Sequence, residues 1–221
     1  MAAQAIIDNS IQFYGQEGWD DTHISFQFRE YSYSLFKKGT STVYTRKKEQ
    51  QVDSLFDFKR LVRYQNAQPL KLSDSLQNLY SSSVNSVLYF FQIPRILNDP
   101  AVIKTRLADR MIQGRKYHTL KITFQPDGGG TDYQDEFRYW IDNETFALDF
   151  MAYAYLTDGG GIRFRKATNR RTVGESVFQD YDNFKPISKA MSLDDLPRLY
   201  EQGELIKVST IANTSIAFRK N

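Results

Sequence analysis

The spacing of hydrophobic residues changes several times along this 221-residue chain. Ile7, Ile11 and Tyr14 recur at helical spacing and predict a short amphipathic helix over residues 5–14, ended by Gly15 and Gly18. Alternation follows, with Ile24, Phe26 and Phe28 on one face and Gln27 and Arg29 on the other. The phase then slips by one residue to Tyr31, Tyr33 and Leu35, which predicts a bulge near Arg29–Glu30. Residues 40–65 interleave charged and β-branched side chains and read as two exposed antiparallel strands.

A longer helix is predicted over residues 73–91. Ser73 is placed to cap it, and Leu76, Leu79, Tyr80, Val84, Val87, Leu88 and Phe91 form one apolar stripe. Beyond Pro94 and the Asn98–Pro100 turn, strand patterns return at 102–109, 116–125, 134–142, 146–157, 162–168 and 176–184. A short helix at 197–202 starts on Pro197 and stops at Gly203, and strands near 204–212 and 214–219 finish the chain. The expected fold is α+β: a curved, mainly antiparallel sheet forming a half-open barrel, with an antiparallel meander over 102–184 and a helical insertion covering its concave face. No linker is rich enough in Pro, Gly or Ser to divide the chain, so 1–221 reads as a single domain.

Composition narrows the function classes. Cysteine is absent, which excludes disulfides, thiolate metal sites and cysteine nucleophiles. With only His23 and His118, a three-histidine metal site is impossible, and neither a metal nor a cofactor is expected. Net charge is +3, and the excess lies in residues 1–110, so neither half is a polycation made for nucleic acid. No apolar run reaches the roughly 20 residues that span a bilayer. Aromatic residues are plentiful, at 16 Phe, 14 Tyr and 2 Trp.

Asp-Gly-Gly-Gly occurs twice, at 127–130 and 158–161. Alternate loops of a meander share an end, so Gly128, Gly129 and Gly130 are expected beside Gly159, Gly160 and Gly161 on one rim. Such loops can cradle an anion, but neither feeds a helix, and wide hairpin turns are the favoured reading. Acidic residues in 127–144 and basic residues in 163–171 are expected to pair across neighbouring strands. The spacing of Asp127 and Asp132 fits no calcium loop.

The more informative feature is that strands are apolar on both faces. Phe146, Leu148 and Phe150 alternate with Met151, Tyr153 and Tyr155, and Trp140 opposes Phe137, Tyr139 and Ile141. A sheet with one wet face does not look like this, so both faces are covered or one lines a cavity. His118 shares its face with Leu120, Ile122 and Phe124, has no evident acid partner, and reads as a satisfied inward histidine.

Several long segments resemble one family: Val84–Pro94 (VNSVLYFFQIP) with Leu97–Asp99, Lys116–Phe124 (KYHTLKITF), Gly128–Ile141 (GGGTDYQDEFRYWI) and Gly159–Lys166 (GGGIRFRK). It is a Bacteroidota family of secreted or lipid-anchored envelope proteins that carries a domain-of-unknown-function label. The resemblance runs from about residue 5 to 210. It implies a lipoprotein-carrier-like fold, a half-barrel with helices in its mouth, and a location on the periplasmic side of the envelope, with membrane association only through a lipid anchor removed with the leader. No catalytic residue carries over.

Three functional readings follow. The first is a non-enzymatic envelope protein that binds a lipid or lipoprotein acyl chain, with Tyr80, Leu88, Phe91, His118, Trp140, Tyr153 and Tyr155 as candidate ligand-binding residues sampling both sheet faces. The second is a structural or protein-interaction module with a filled core, facing an envelope partner. An enzyme using His118 with an acid from 127–136 ranks third.

Overall fold

The computed structural model describes residues 1–127, 133–156, 159–188 and 191–220. In chain order, α1 (Ala3–Phe13) is followed by β1 (Thr22–Phe28), β2 (Tyr31–Lys38), β3 (Ser41–Lys48), β4 (Gln51–Phe56), β5 (Arg60–Gln65) and β6 (Gln68–Leu70). The long helix α2 (Asp74–Phe91) comes next. Then come β7 (Val102–Arg106), β8 (Arg110–Ile112), β9 (Arg115–Phe124), β10 (Glu136–Asp142), β11 (Leu148–Tyr155), β12 (Gly161–Val173) and β13 (Ser176–Lys185). The short helix α3 (Leu196–Glu201) and strands β14 (Ile206–Ile211) and β15 (Thr214–Lys220) complete the order.

The strands form two open sheets. One has seven strands in the order β15-β1-β2-β3-β4-β5-β6; the other has eight, in the order β14-β13-β12-β11-β10-β9-β7, with β8 also on β9. Residues group correspondingly into two compact units, one of Met1–Gly15, Leu97–Arg171 and Val177–Ile211, the other of Gln16–Ile96, Thr172–Ser176 and Ala212–Asn221. The mainly antiparallel α+β reading holds, and the meander strands lie where alternation placed them.

In the seven-stranded unit, two expectations are corrected. Arg29–Glu30 is a two-residue hairpin turn and not a bulge: Phe28 opposes Tyr31, Phe26 opposes Tyr33 and Ile24 opposes Leu35. Opposed residues share a face, so a two-residue turn moves the inward set from even to odd numbers. Arg29 enters the turn at φ 55°. Residues 40–65 hold three strands, β3, β4 and β5, and not two exposed ones. Their inward positions complete two rows, Ile24–Leu35–Tyr44–Leu55–Leu61 and Phe26–Tyr33–Arg46–Asp53–Arg63. Three of the charges in this stretch, Arg46, Asp53 and Arg63, are turned inward, on each other.

Asp53 has no exposed surface. Arg46 donates to its Oδ2 from Nε at 3.0 Å and from Nη2 at 2.6 Å, while Arg63 donates from Nε to Oδ1 at 2.6 Å and from Nη2 to Oδ2 at 2.9 Å. Hydrogen bonding to this carboxylate holds the Arg63 guanidinium above its ordinary pKa.

The helix α2 lies over β3, β4 and β5. Ser73 caps it, its hydroxyl accepting from the Leu76 N–H at 3.4 Å, and Asp74 sits favourably in the first turn. The expected apolar stripe is buried over only part of its length. Val84 and Leu88 are fully buried, whereas Leu76 and Leu79 are 41% and 61% exposed. Ahead of Val84 the helix meets guanidinium groups: Arg46 Nη1 donates to Ser83 Oγ at 2.7 Å, and Arg63 lies 3.5 Å over the Tyr80 ring. Its last turn is apolar, with Phe91 stacked on Phe26 at 3.9 Å.

The eight-stranded unit is packed on both faces. Ile112, Tyr117, Trp140, Phe150, Ala152, Ile162 and Phe164 meet Leu193, Leu196 and Leu199 from the α3 region. Leu120, Ile122, Tyr139, Ile141 and Met151 are also fully buried. The buried Tyr14 side chain, just past α1, donates its hydroxyl to Gln179 Oε1 at 2.6 Å and accepts from the Leu148 N–H at 3.1 Å. Burial pushes that hydroxyl's pKa well up.

Two further expectations change in this unit. Phe146 adopts φ 61° in the turn before β11, and Leu148 opposes Ile141 because the register shifts beside Trp140. Neither therefore continues the Phe150 face. The basic segment 163–171 lies on β12, which pairs with β11 and not with β10. Arg170 reaches Asp149 at 2.7 Å and Arg171 reaches Asp180 at 3.2 Å, while Glu136 and Asp142 pair with Lys121 and Arg115.

Asp53→Asn is expected to lower unfolding free energy by about 3–5 kcal/mol, since it strands two buried guanidinium groups. Lys207→Gln, at the exposed end of a pair with Asp182, is expected to cost about 1 kcal/mol or less. Urea denaturation of both variants checks this, and equal costs would contradict it.

Candidate functional site

The seven candidate residues divide between the two units. Tyr80, Leu88 and Phe91 lie along α2 in the seven-stranded unit, and His118, Trp140, Tyr153 and Tyr155 lie in the eight-stranded one. Within that second group, Trp140 is 1% exposed, 5.8 Å from Phe164 in the cluster beneath α3. Tyr153 faces the other way: it stacks on Phe137 at 5.3 Å, and its hydroxyl accepts from Arg165 at 2.8 Å. Tyr155 is its neighbour at 6.0 Å, with Arg163 5.3 Å over the ring.

Each glycine of the second triglycine has a local reason. Gly159 and Gly160 have φ +80° and +68°, a conformation side chains seldom take. A Cβ on Gly161 would stand 2.6 Å from the Tyr155 hydroxyl oxygen, so the missing side chain leaves room for that ring. Gly128, Gly129 and Gly130 lie outside the described residues.

A second inward surface lies beneath α2, on β3, β4 and β5. Leu88 is buried against it, and the Leu88 carbonyl accepts from Gln92 Nε2 at 2.9 Å. Gln92 also donates to the Tyr44 hydroxyl at 2.5 Å. Phe91 is sandwiched between Phe26 and Trp19, the latter at 6.2 Å, and the Trp19 indole donates to Ser176 at 2.8 Å. Hence α2 is fastened by apolar packing in its last turn and by Arg46 and Arg63 near its middle. Periodicity missed these arginines and Asp53. The usable signal was register: a two-residue turn at Glu49–Gln50 sets Arg46 opposite Asp53.

His118 has the acid neighbour that its sequence context did not reveal. Its Nδ1 lies 3.1 Å from Arg106 Nη2 and 3.4 Å from Asp109 Oδ1. Arg106 also bonds Asp109, so the guanidinium bridges both groups. Burial, then the charges of Arg106 and Lys116, hold the imidazole below its ordinary pKa of 6.5. A neutral ring accepting from Arg106 fits this setting. Among the described residues no cluster of three or more His, Asp or Glu side chains is placed to hold a metal ion. Among the described residues no helix is long and apolar enough to cross a membrane.

A depressed histidine pKa means that the unfolded chain takes up its proton first as pH falls below 6.5. Stability should therefore drop with falling pH from 6.5 until the folded-state value is passed. His118→Gln is expected to flatten that part of the stability–pH curve. Denaturation midpoints of both proteins across the range check this, and parallel curves would contradict it.

In fold the chain is similar to two solved structures. A LolA superfamily protein from Nitrosomonas europaea superposes with a TM-score of 0.57 at 16% identity, covering 100% of this chain and 95% of that one. A DUF1329 family protein from Desulfovibrio piger gives 0.58 at 8% identity, covering 98% and 93%. Identities this low speak for the fold alone. No curated protein matches in sequence. The model of a family of unknown function, DUF6503, matches residues 1–213, and the chain belongs to that family.

Proposed function

We propose that this protein binds an apolar or amphipathic ligand, such as the acyl chain of a lipid or lipoprotein, under α2, and that it works without catalysis on the periplasmic side of the cell envelope. The observation that carries the reading is how α2 is held. Of its eighteen residues only Val84 and Leu88 are fully buried. Phe26, Tyr33, Leu35, Tyr44, Leu55 and Leu61 make an inward apolar surface that is only 1–4% exposed with α2 in place and would be bared by lifting the helix. An acyl chain entering there would recover about 25 cal/mol per Å² of apolar surface withdrawn from water. Likeness of fold to a LolA superfamily protein supports the same reading, as does the resemblance of its segments to envelope proteins.

A second reading, a filled interaction module, is favoured by the stack of Phe91 on Phe26 at 3.9 Å, which leaves no gap at that end of the helix. Native mass spectrometry with lipid extraction separates the two, on protein directed to the envelope of its expression host. The carrier reading expects a co-purifying lipid in stoichiometric amount and saturable uptake of a fluorescent fatty acid. Clean protein that also fails to take up the fatty acid would overturn it in favour of the filled module.

A further inference from the structure

The other face of the seven-stranded sheet carries a cleft that the lipid reading does not use. Side chains alternate along a strand, so Lys47, Val52, Ser54 and Tyr64 point away from the face that holds Arg46, Asp53 and Arg63 under α2. With Glu49, Gln50 and Ala67 from two neighbouring turns, they line a cleft of about 420 Å³. It is a shallow groove, largely open to solvent, and not an enclosed pocket.

Its chemistry is specific. Tyr64 directly opposes Val52, and with the Ala67 methyl they make an apolar floor. Around them stand a hydroxyl, an amide, a cation and a carboxylate, from Ser54, Gln50, Lys47 and Glu49. Having both charge signs on one rim disfavours a strongly anionic or cationic guest and suits a neutral one with many donors and acceptors.

Ser54 adds an independent observation. It is 8% exposed, yet its hydroxyl makes no hydrogen bond within the described residues. Its neighbour across the ladder is Thr45, whose hydroxyl is engaged by Ser34 at 2.5 Å. The Ser54 hydroxyl therefore offers a donor and an acceptor to a guest in the cleft. The backbone at the rim is also held unusually. Asn66 and Ala67 have φ 50° and 62°, and the alanine would be relieved by glycine. The methyl that lines the cleft is therefore kept at a conformational cost.

We propose that this cleft binds a neutral saccharide, the apolar face of one pyranose ring stacking on Tyr64 while ring hydroxyls bond Ser54, Gln50 and Glu49. The same ring chemistry is presented by a free oligosaccharide and by the headgroup of a glycolipid. The proposal is independent of ligand binding under α2, since it uses the opposite face of the sheet.

The test is a nuclear magnetic resonance titration of the ¹⁵N-labelled full chain. One arm adds maltotriose or triacetylchitotriose; another adds phosphatidylcholine vesicles carrying glucosyl diacylglycerol, with plain vesicles as their control. Saturable shifts at the amides of residues 47–54 and 64–67 are expected in at least one arm. Shifts with the free sugars identify a soluble saccharide, and shifts with the glycolipid vesicles alone identify a headgroup. Tyr64→Ala should weaken the response roughly tenfold, a stacking contribution. Tyr64→Phe should retain it, and Ser54→Ala should weaken it by about three- to tenfold. No saturable shift in any arm, equal shifts with inorganic phosphate, or an unchanged response in a folded Tyr64→Ala protein would each overturn the proposal.

Discussion

A carboxylate with no exposed surface must be compensated where it stands, and the seven-stranded unit is organised around that demand. Asp53 receives four hydrogen bonds from Arg46 and Arg63, which flank it on the two neighbouring strands. Two cations against one anion leave the group net positive, and the spare capacity is turned to α2. Arg46 donates to Ser83, and Arg63 lies over the Tyr80 ring. The register of three strands and the seat of a helix thus rest on one charged group. Desolvation makes such an arrangement costly to assemble and costlier to break, so it specifies α2's position more than it adds net stability.

Much of this fold was legible in the chain, and the parts that were not failed for identifiable reasons. Strands β9 to β13 and α3 could be placed because alternation and helix punctuation are local signals, strong wherever side chains meet a packed layer. The slip at Arg29–Glu30 was visible, but its meaning was ambiguous: a bulge and a two-residue turn both shift phase, and only the pairing of Phe28 with Tyr31 decides between them. Residues 40–65 were misjudged because buried charges look like surface charges until register shows Arg46, Asp53 and Arg63 in one row.

The candidate site was legible to a lesser degree. That Trp140 opposes Tyr139, and that Tyr153 and Tyr155 share a face, follows from a period of two. The packing partners of each face are long-range facts, and no local pattern carries them. His118 shows the same limit, since Arg106 at the end of the neighbouring strand β7 and Asp109 just beyond it reach across to it. Likewise α2 looked like a uniformly buried helix. Its stripe ends early because the sheet beneath its first half presents guanidinium groups and not hydrocarbon.

Ligand binding under α2, as proposed, requires the helix to lift from polar contacts near its middle and aromatic packing in its last turn. Elements of that kind open at lower free energy than the strands beneath them. Native-state hydrogen exchange of the full chain, read residue by residue, tests this most directly. The α2 amides are expected to exchange together through an opening that leaves β1 to β4 protected. Exchange of α2 only with those strands, at the free energy of global unfolding, would contradict it.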